Sequence, residues 1–202
     1  MAGDLLATEV GNFTATSAGN RSGGANFWYA YRLISPMTGT IDSLGGWYRD
    51  ANPSDTTNGD DSVVVVVFSN SGNQPSAVLD STAGPILINN SSSSTYARFA
   101  KVKTAGATIN TGDTLWVATW VRAANNGIGL ARDGDNTGDY GTFQLDSIRF
   151  TAAGDAPPIT PSGSSWNAES AHCVFLVVSA SGPTTSGSTT LMGGTYKQVT
   201  IK

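Results

Sequence analysis

The chain is short of the residues that carry most metal, redox and acid–base chemistry. It holds one cysteine and one histidine in 202 residues. A single cysteine excludes an internal disulfide framework, and Cys173 with His172 falls short of the about four ligands that a structural zinc site takes. Charge is scarce too: charged residues make up 13%, with Lys+Arg 11 against Asp+Glu 15. The cations are scattered singly and form no basic stripe, which argues against nucleic acid and against anionic membrane surfaces. No segment approaches the about 18 apolar residues of a membrane span, so membrane insertion is not expected. The opening MAGDLLATEVGNF lacks the basic start and apolar run of an export signal, and the expectation is a chain made in a cytoplasm without a signal peptide. Glu and Lys, the usual covering of helix surfaces, are few beside Gly 24, so helix is expected to be rare and tight turns common.

What the sequence does have is β patterning. DDSVVVVVFSNSGNQP, Asp60 to Pro75, sets five valines and a phenylalanine between an acidic start and a Gly72-Asn73 turn. β-Branched residues are stiff at χ1 and suit a pleated surface. With side chains alternating, Val63, Val65 and Val67 face one way and Val64, Val66 and Phe68 the other, so this reads as a central strand buried on both faces. FWYAYRLI (27–34) and LWVATWV (115–121) alternate in the same way, the second entered by a Thr111-Gly112-Asp113 turn, and Trp28, Trp116 and Trp120 are expected in the core. TGTIDSLGGWY (38–48) is a further strand whose Gly45-Gly46 pair signals a bulge or a close backbone approach. AVLD, GPILINN and YARFAKV read as edge strands. In TFQLDSIRF (142–150) the apolar phase slips between Leu145 and Ile148, as a bulge would cause. AHCVFLVVSA (171–180) closes the set.

Roughly eight to ten short strands with turn signals at this spacing predict an all-β fold, a two-sheet antiparallel β-sandwich of jelly-roll type. Residues 1–25, rich in small residues, read as an extended N-terminal arm, 26–181 as the sandwich, and 182–202 as a linker and a C-terminal tail strand. In that tail Tyr196, Val199 and Ile201 alternate in a strand with no hairpin partner, and are expected to serve assembly. Residues 49–61 read as a polar loop with nothing to bury, 125–140 as loop around a short IGLA piece, and 156–166 as a long proline-bearing loop.

Few residues suggest chemistry. Asp133, Asp135 and Asp139 space oxygen ligands as a calcium loop does, with Gly138 at the sixth position. Gln144 stands where the bidentate Glu belongs, and an acidic hairpin turn is the expected role; no cofactor is expected otherwise. His172 and Cys173 are neighbours on a strand and point to opposite faces, so they do not form a nucleophile–base pair. There is no nucleophile elbow, phosphate-binding loop or close carboxylate pair, and the chain is not expected to be an enzyme. Trp47, Tyr48, Tyr140 and Trp166 adjoin loops and are the aromatic residues available for stacking on a sugar ring.

The order TGTIDSLGGWY, VVVVVFSNSGNQPSAVLDST, ATINTGDTLWVATW resembles the jelly-roll sandwich modules of bacteriophage virions and bacterial surface proteins. The resemblance spans residues 27–122. It implies a capsid decoration or cement protein, a head fibre, or a tail receptor-binding part. It further implies a homo-oligomer, a trimer above all, with capsid or tail subunits as partners and the virion as location. Host glycan is the partner of the alternative reading, a glycan- or receptor-binding module. No functional residue is carried over from the resemblance.

Overall fold

The computed structural model describes residues 7–11, 17–23, 27–50, 61–89, 95–122, 128–132, 142–151, 165–166 and 173–180. The elements are β1 (Ala7–Gly11), β2 (Ser17–Gly23), β3 (Phe27–Ile34), β4 (Gly39–Asp50), β5 (Ser62–Ser71), β6 (Gln74–Ser81), β7 (Ile86–Leu87), β8 (Ala97–Val102), β9 (Thr108–Ile109), β10 (Thr114–Arg122), β11 (Ile128–Arg132), β12 (Thr142–Thr151), β13 (Ser165–Trp166) and β14 (Val174–Ala180). They form two antiparallel sheets. One runs β1-β14-β4-β11-β2, and Ser43–Gly46 of β4 pair with β14 on one edge and with β8 on the other, with β9 also on β4. The second runs β13-β12-β3-β10-β5-β6, with β7 also on β5. The all-β sandwich expected from the alternation is therefore present.

The two sheets close on one core. Tyr29, Tyr31 and Leu33 of β3, Val63, Val65 and Val67 of β5, and Leu115, Val117 and Val121 of β10 meet Ile41, Leu44 and Tyr48 of β4 and Val174, Leu176 and Val178 of β14. A sandwich covers only one face of each sheet. Yet the far face of the β3-β10-β5 ladder is buried as well. It carries a second cluster of Trp28, Ala30, Val64, Val66, Phe68, Trp116, Ala118 and Trp120. Trp28 stacks on Trp120 with centroids 5.3 Å apart and planes 3° apart, and Phe68 meets Trp28 edge-on at 6.1 Å. The opposing sheet lies on the other side, so the burial of this second face does not come from it.

Local signals explain several details. Gly72 and Asn73 take φ of 59° and 60°, the positive values at both central residues that a tight hairpin turn between β5 and β6 demands. The register of β12 against β3 shifts between Gln144 and Ser147, where the apolar phase slips.

Two expectations are corrected. Residues 7–11 and 17–23 are not an arm: β1 pairs with β14 from Ala7↔Ser179 to Gly11↔Phe175, and β2 pairs with β11. Small-residue composition conceals this, because the open edges of β14 and β11 offer rows of backbone donors and acceptors that any segment satisfies whatever its side chains. Val10 of β1 adds an apolar anchor, buried in the sandwich core. The polar loop 49–61 is also trimmed at both ends. Arg49 and Asp50 lie in β4, and Asp61 is buried with its carbonyl accepting from the Ile88 N–H at 2.9 Å.

Two buried polar side chains, Tyr48 and Asp80, tie the sheets together. Tyr48 hydroxyl and Thr119 Oγ1, on opposite sheets, are 3.1 Å apart in a buried hydrogen bond, and burial pushes the Tyr48 phenol well above its usual range. The second tie is Asp80 of β6. Its Oδ1 accepts from the backbone N–H groups of Ser81 (2.8 Å), Thr104 (3.2 Å) and Ala105 (3.0 Å), and its Oδ2 from Gly106 (2.6 Å) and Ala107 (2.8 Å). We expect Tyr48→Phe to lower stability by about 1 kcal/mol, because Thr119 keeps a buried hydroxyl with no partner across the core. A double-mutant cycle with Thr119→Val measures the coupling, and zero coupling would show that the bond contributes nothing.

Candidate functional site

Alternation along β4 sets the two loop-adjoining aromatics on opposite faces, and the position of the other sheet decides which faces outward. Tyr48 belongs to the core and is 1% exposed, so the sequence-based candidacy of Tyr48 for a ligand is withdrawn. Its neighbour Trp47 points to the opposite, outer face of the β4 sheet and is half-buried. Register places Arg98 of β8 opposite Trp47, and two residues further on Arg49 lies with its guanidinium carbon 5.2 Å from the Tyr96 ring centroid. Arg98 reaches across β4. Its guanidinium lies 4.2 Å from the Phe175 ring and donates to the Glu9 carboxylate of β1. Gly45 makes room for this crossing, since a Cβ there would stand 2.6 Å from Phe175 Cζ. The outer face thus carries Trp47 beside two arginines whose planes are held by aromatic rings. The indole N–H of Trp47 and the hydroxyl of Tyr96 are buried without a hydrogen-bond partner. Stacking surface and fixed donors are the makings of a polar-ligand surface.

A second feature lies at the end of the sandwich where β9 meets β5, β6 and β10. It is an open cleft of about 440 Å³ lined by Ser69, Asn70, Leu79, Thr108 and Gly112 to Leu115. Gly112 turns the chain with φ 88°, and its N–H donates to the Ser35 carbonyl at 2.8 Å. Asp113 is held by its own turn, with Oδ2 accepting from the Asn110 backbone N–H at 2.7 Å and from Asn110 Nδ2 at 3.3 Å. Asn70 is oriented from the far face of its sheet, where the buried Trp116 indole donates to Asn70 Oδ1 at 2.9 Å. This cleft escaped sequence reasoning because its lining comes from four separate segments; the Thr111-Gly112-Asp113 turn was its one visible mark.

The remaining candidates are quickly placed. Cys173 is buried and in no disulfide, and its carbonyl accepts from the Trp47 N–H at 3.0 Å. Trp166 pairs with Ile148 as part of β13. Asp133, Asp135 and Asp139, Tyr140, His172, and the tail residues Tyr196, Val199 and Ile201 lie outside the described residues. Among the described residues no group of three or more His, Cys, Asp or Glu is placed to hold a metal ion.

Comparison with protein-family models and with curated proteins finds no match to this chain.

Proposed function

We propose that the chain is a non-enzymatic structural protein of a phage virion, a capsid decoration, cement or appendage component that docks by strand addition. The observation that carries this reading is the state of the sandwich edges. Among the described residues β8 forms a ladder only with β4 and β6 only with β5, the two margins meeting at their ends through the Thr82↔Lys103 bridge, and apolar side chains stand out at those margins: Val102 is 64% exposed and Leu87 on β7 is 55% exposed. An open edge with exposed apolar residues is a template for a strand from another chain. The low charge of the chain supports the same reading, since few side chains would be desolvated at a subunit contact. β1 and β2 are committed to their own sandwich, so docking falls to the C-terminal segment and the open edges. The test is removal of residues 183–202. The truncated chain is expected to keep its β spectrum and melting transition and to lose its oligomer in mass photometry; an oligomer that survives truncation overturns docking through the tail.

Trp47 favours a second reading, a glycan- or receptor-binding module. It sits on an outer face between Arg49 and Arg98 with stacking area to offer. We expect Trp47→Ala to remove binding on a glycan array while the thermal midpoint stays close to that of the parent, and an array without hits for the intact protein would set this reading aside.

A further inference from the structure

We propose that the cleft at the β9 end of the sandwich binds a neutral sugar ring, at a site separate from the Trp47 face and independent of the virion reading. The argument is the chemistry of its lining. Asn70 has its amide oxygen held by Trp116, which leaves Nδ2 as the end that donates. Asp113 has Oδ2 engaged by Asn110, which leaves Oδ1 to accept. The hydroxyls of Thr108 and Thr114, also lining the cleft, act in both senses. Leu79 gives the cleft an apolar wall, and Leu115, buried in the sandwich core, backs it. A cleft at the sheet end that sets an apolar wall beside one donor, one acceptor and two hydroxyls suits a pyranose, which has an apolar C–H face and a rim of groups that both donate and accept.

Other ligand classes fit less well. Asp113 is the only formally charged residue in the lining, so a phosphate or carboxylate ligand would meet repulsion with no cation to offset it, and one carboxylate is too few for a cation site. The groups are also set in place before any ligand arrives: Trp116, which holds Asn70, is fully buried, and Asp113 is fixed by its own turn. Preorganisation of this kind reduces the ordering cost of binding. The volume falls within the range of about 300–1,000 Å³ common for small-molecule sites, but the cleft is open. A single sugar is therefore expected to bind with Kd on the order of 1 mM.

The experiment is ligand-observed saturation-transfer NMR on the full chain with D-glucose, D-galactose, D-mannose and N-acetyl-D-glucosamine, with D-glucuronate as the anionic probe. At least one neutral sugar is expected to bind saturably and glucuronate more weakly. Asp113→Asn and Thr114→Val should each weaken binding by up to about tenfold, the size of one net hydrogen bond, while Trp47→Ala leaves it unchanged. Thr114→Val preserves side-chain shape at a strand position, and thermal melting of each variant reports whether the sandwich is intact. Three results overturn the proposal: no response from any neutral sugar, binding that survives both cleft variants, or binding lost in Trp47→Ala. None of them bears on the truncation test of assembly.

Discussion

Asp80→Ala should lower stability by about 3–5 kcal/mol, among the largest effects of any single side chain here, because it strips a buried anion from a set of donors aimed at it. Asp80 is 2% exposed, and it gathers N–H groups from Ser81 and from Thr104 to Ala107. The amides of Thr104 to Ala107 belong to the segment joining β8 to β9, in one sheet, while Asp80 lies near the end of β6 in the other. Successive backbone N–H groups converging on an anion form a nest, and Gly106 with φ 78° supplies its left-handed residue. Removing the carboxylate leaves four amides without their acceptor, Thr104 keeping the Ser81 carbonyl at 2.8 Å, and weakens a tie between the sheets. For a chain of this length each kcal/mol moves the midpoint by about 2–4 °C, so a fall of roughly 10 °C is expected. An unchanged midpoint would overturn the assignment.

The same group sets a pH dependence. Burial raises the Asp80 pKa, and the amide hydrogen bonds outweigh it, so the folded value lies below the usual carboxylate range. A depressed folded value means that the stabilisation is complete above the unfolded pKa of about 3.9 and fades as pH falls through the folded value. Asp80→Asn keeps the shape without the charge. Its deficit relative to the parent should be widest at neutral pH and should narrow below about pH 4, as the parent's own carboxylate takes up a proton. A deficit that stays constant across that window would mean that the charge is irrelevant.

The second large effect is expected at Gly45, and Gly72 provides the contrast. A Cβ on Gly45 would stand 2.1 Å from the Phe99 carbonyl oxygen, 2.6 Å from Phe175 Cζ and 3.0 Å from Ala100 Cα. Two of these three neighbours are backbone of the paired strand, so relief requires parting β4 from β8. Gly45→Ala should therefore cost at least the upper end of the about 1–3 kcal/mol typical of overpacking. Amide exchange should quicken along Ala97–Val102. Gly72 is different. Nothing lies within 4 Å of its Cβ position, but its φ is +59°, so Ala there is penalised only by conformation, by about 1–2 kcal/mol. Denaturant titration of both variants gives the order, and a smaller loss at Gly45 than at Gly72 would refute the packing argument.

Strands and their faces were legible in the sequence because the period of two is a local property. Val63 to Phe68 and Leu115 to Val121 announce two buried faces whatever they pack against. The Gly72-Asn73 turn and the phase slip in β12 were legible for the same reason, as each is written in a few adjacent residues. Tyr48 was misjudged beside Trp47 because alternation says that they part company and not which of them turns inward; only the position of the opposite sheet decides that. The strand character of residues 17–23 carried no signal, since backbone pairing with β11 asks nothing of their side chains.

By itself, then, the amino-acid order determined an all-β chain, its principal strands, and an inventory poor in metal, redox and acid–base groups. The tertiary structure alone decided what Asp80 holds, why Gly45 must lack a side chain, and that Asn70, Asp113, Thr108 and Thr114 line one cleft. The reason is distance along the chain. Asp80 meets amides up to 27 positions away, and Arg98 meets a carboxylate 89 positions away. Contacts at such separations are fixed by strand register, which no short stretch of residues encodes.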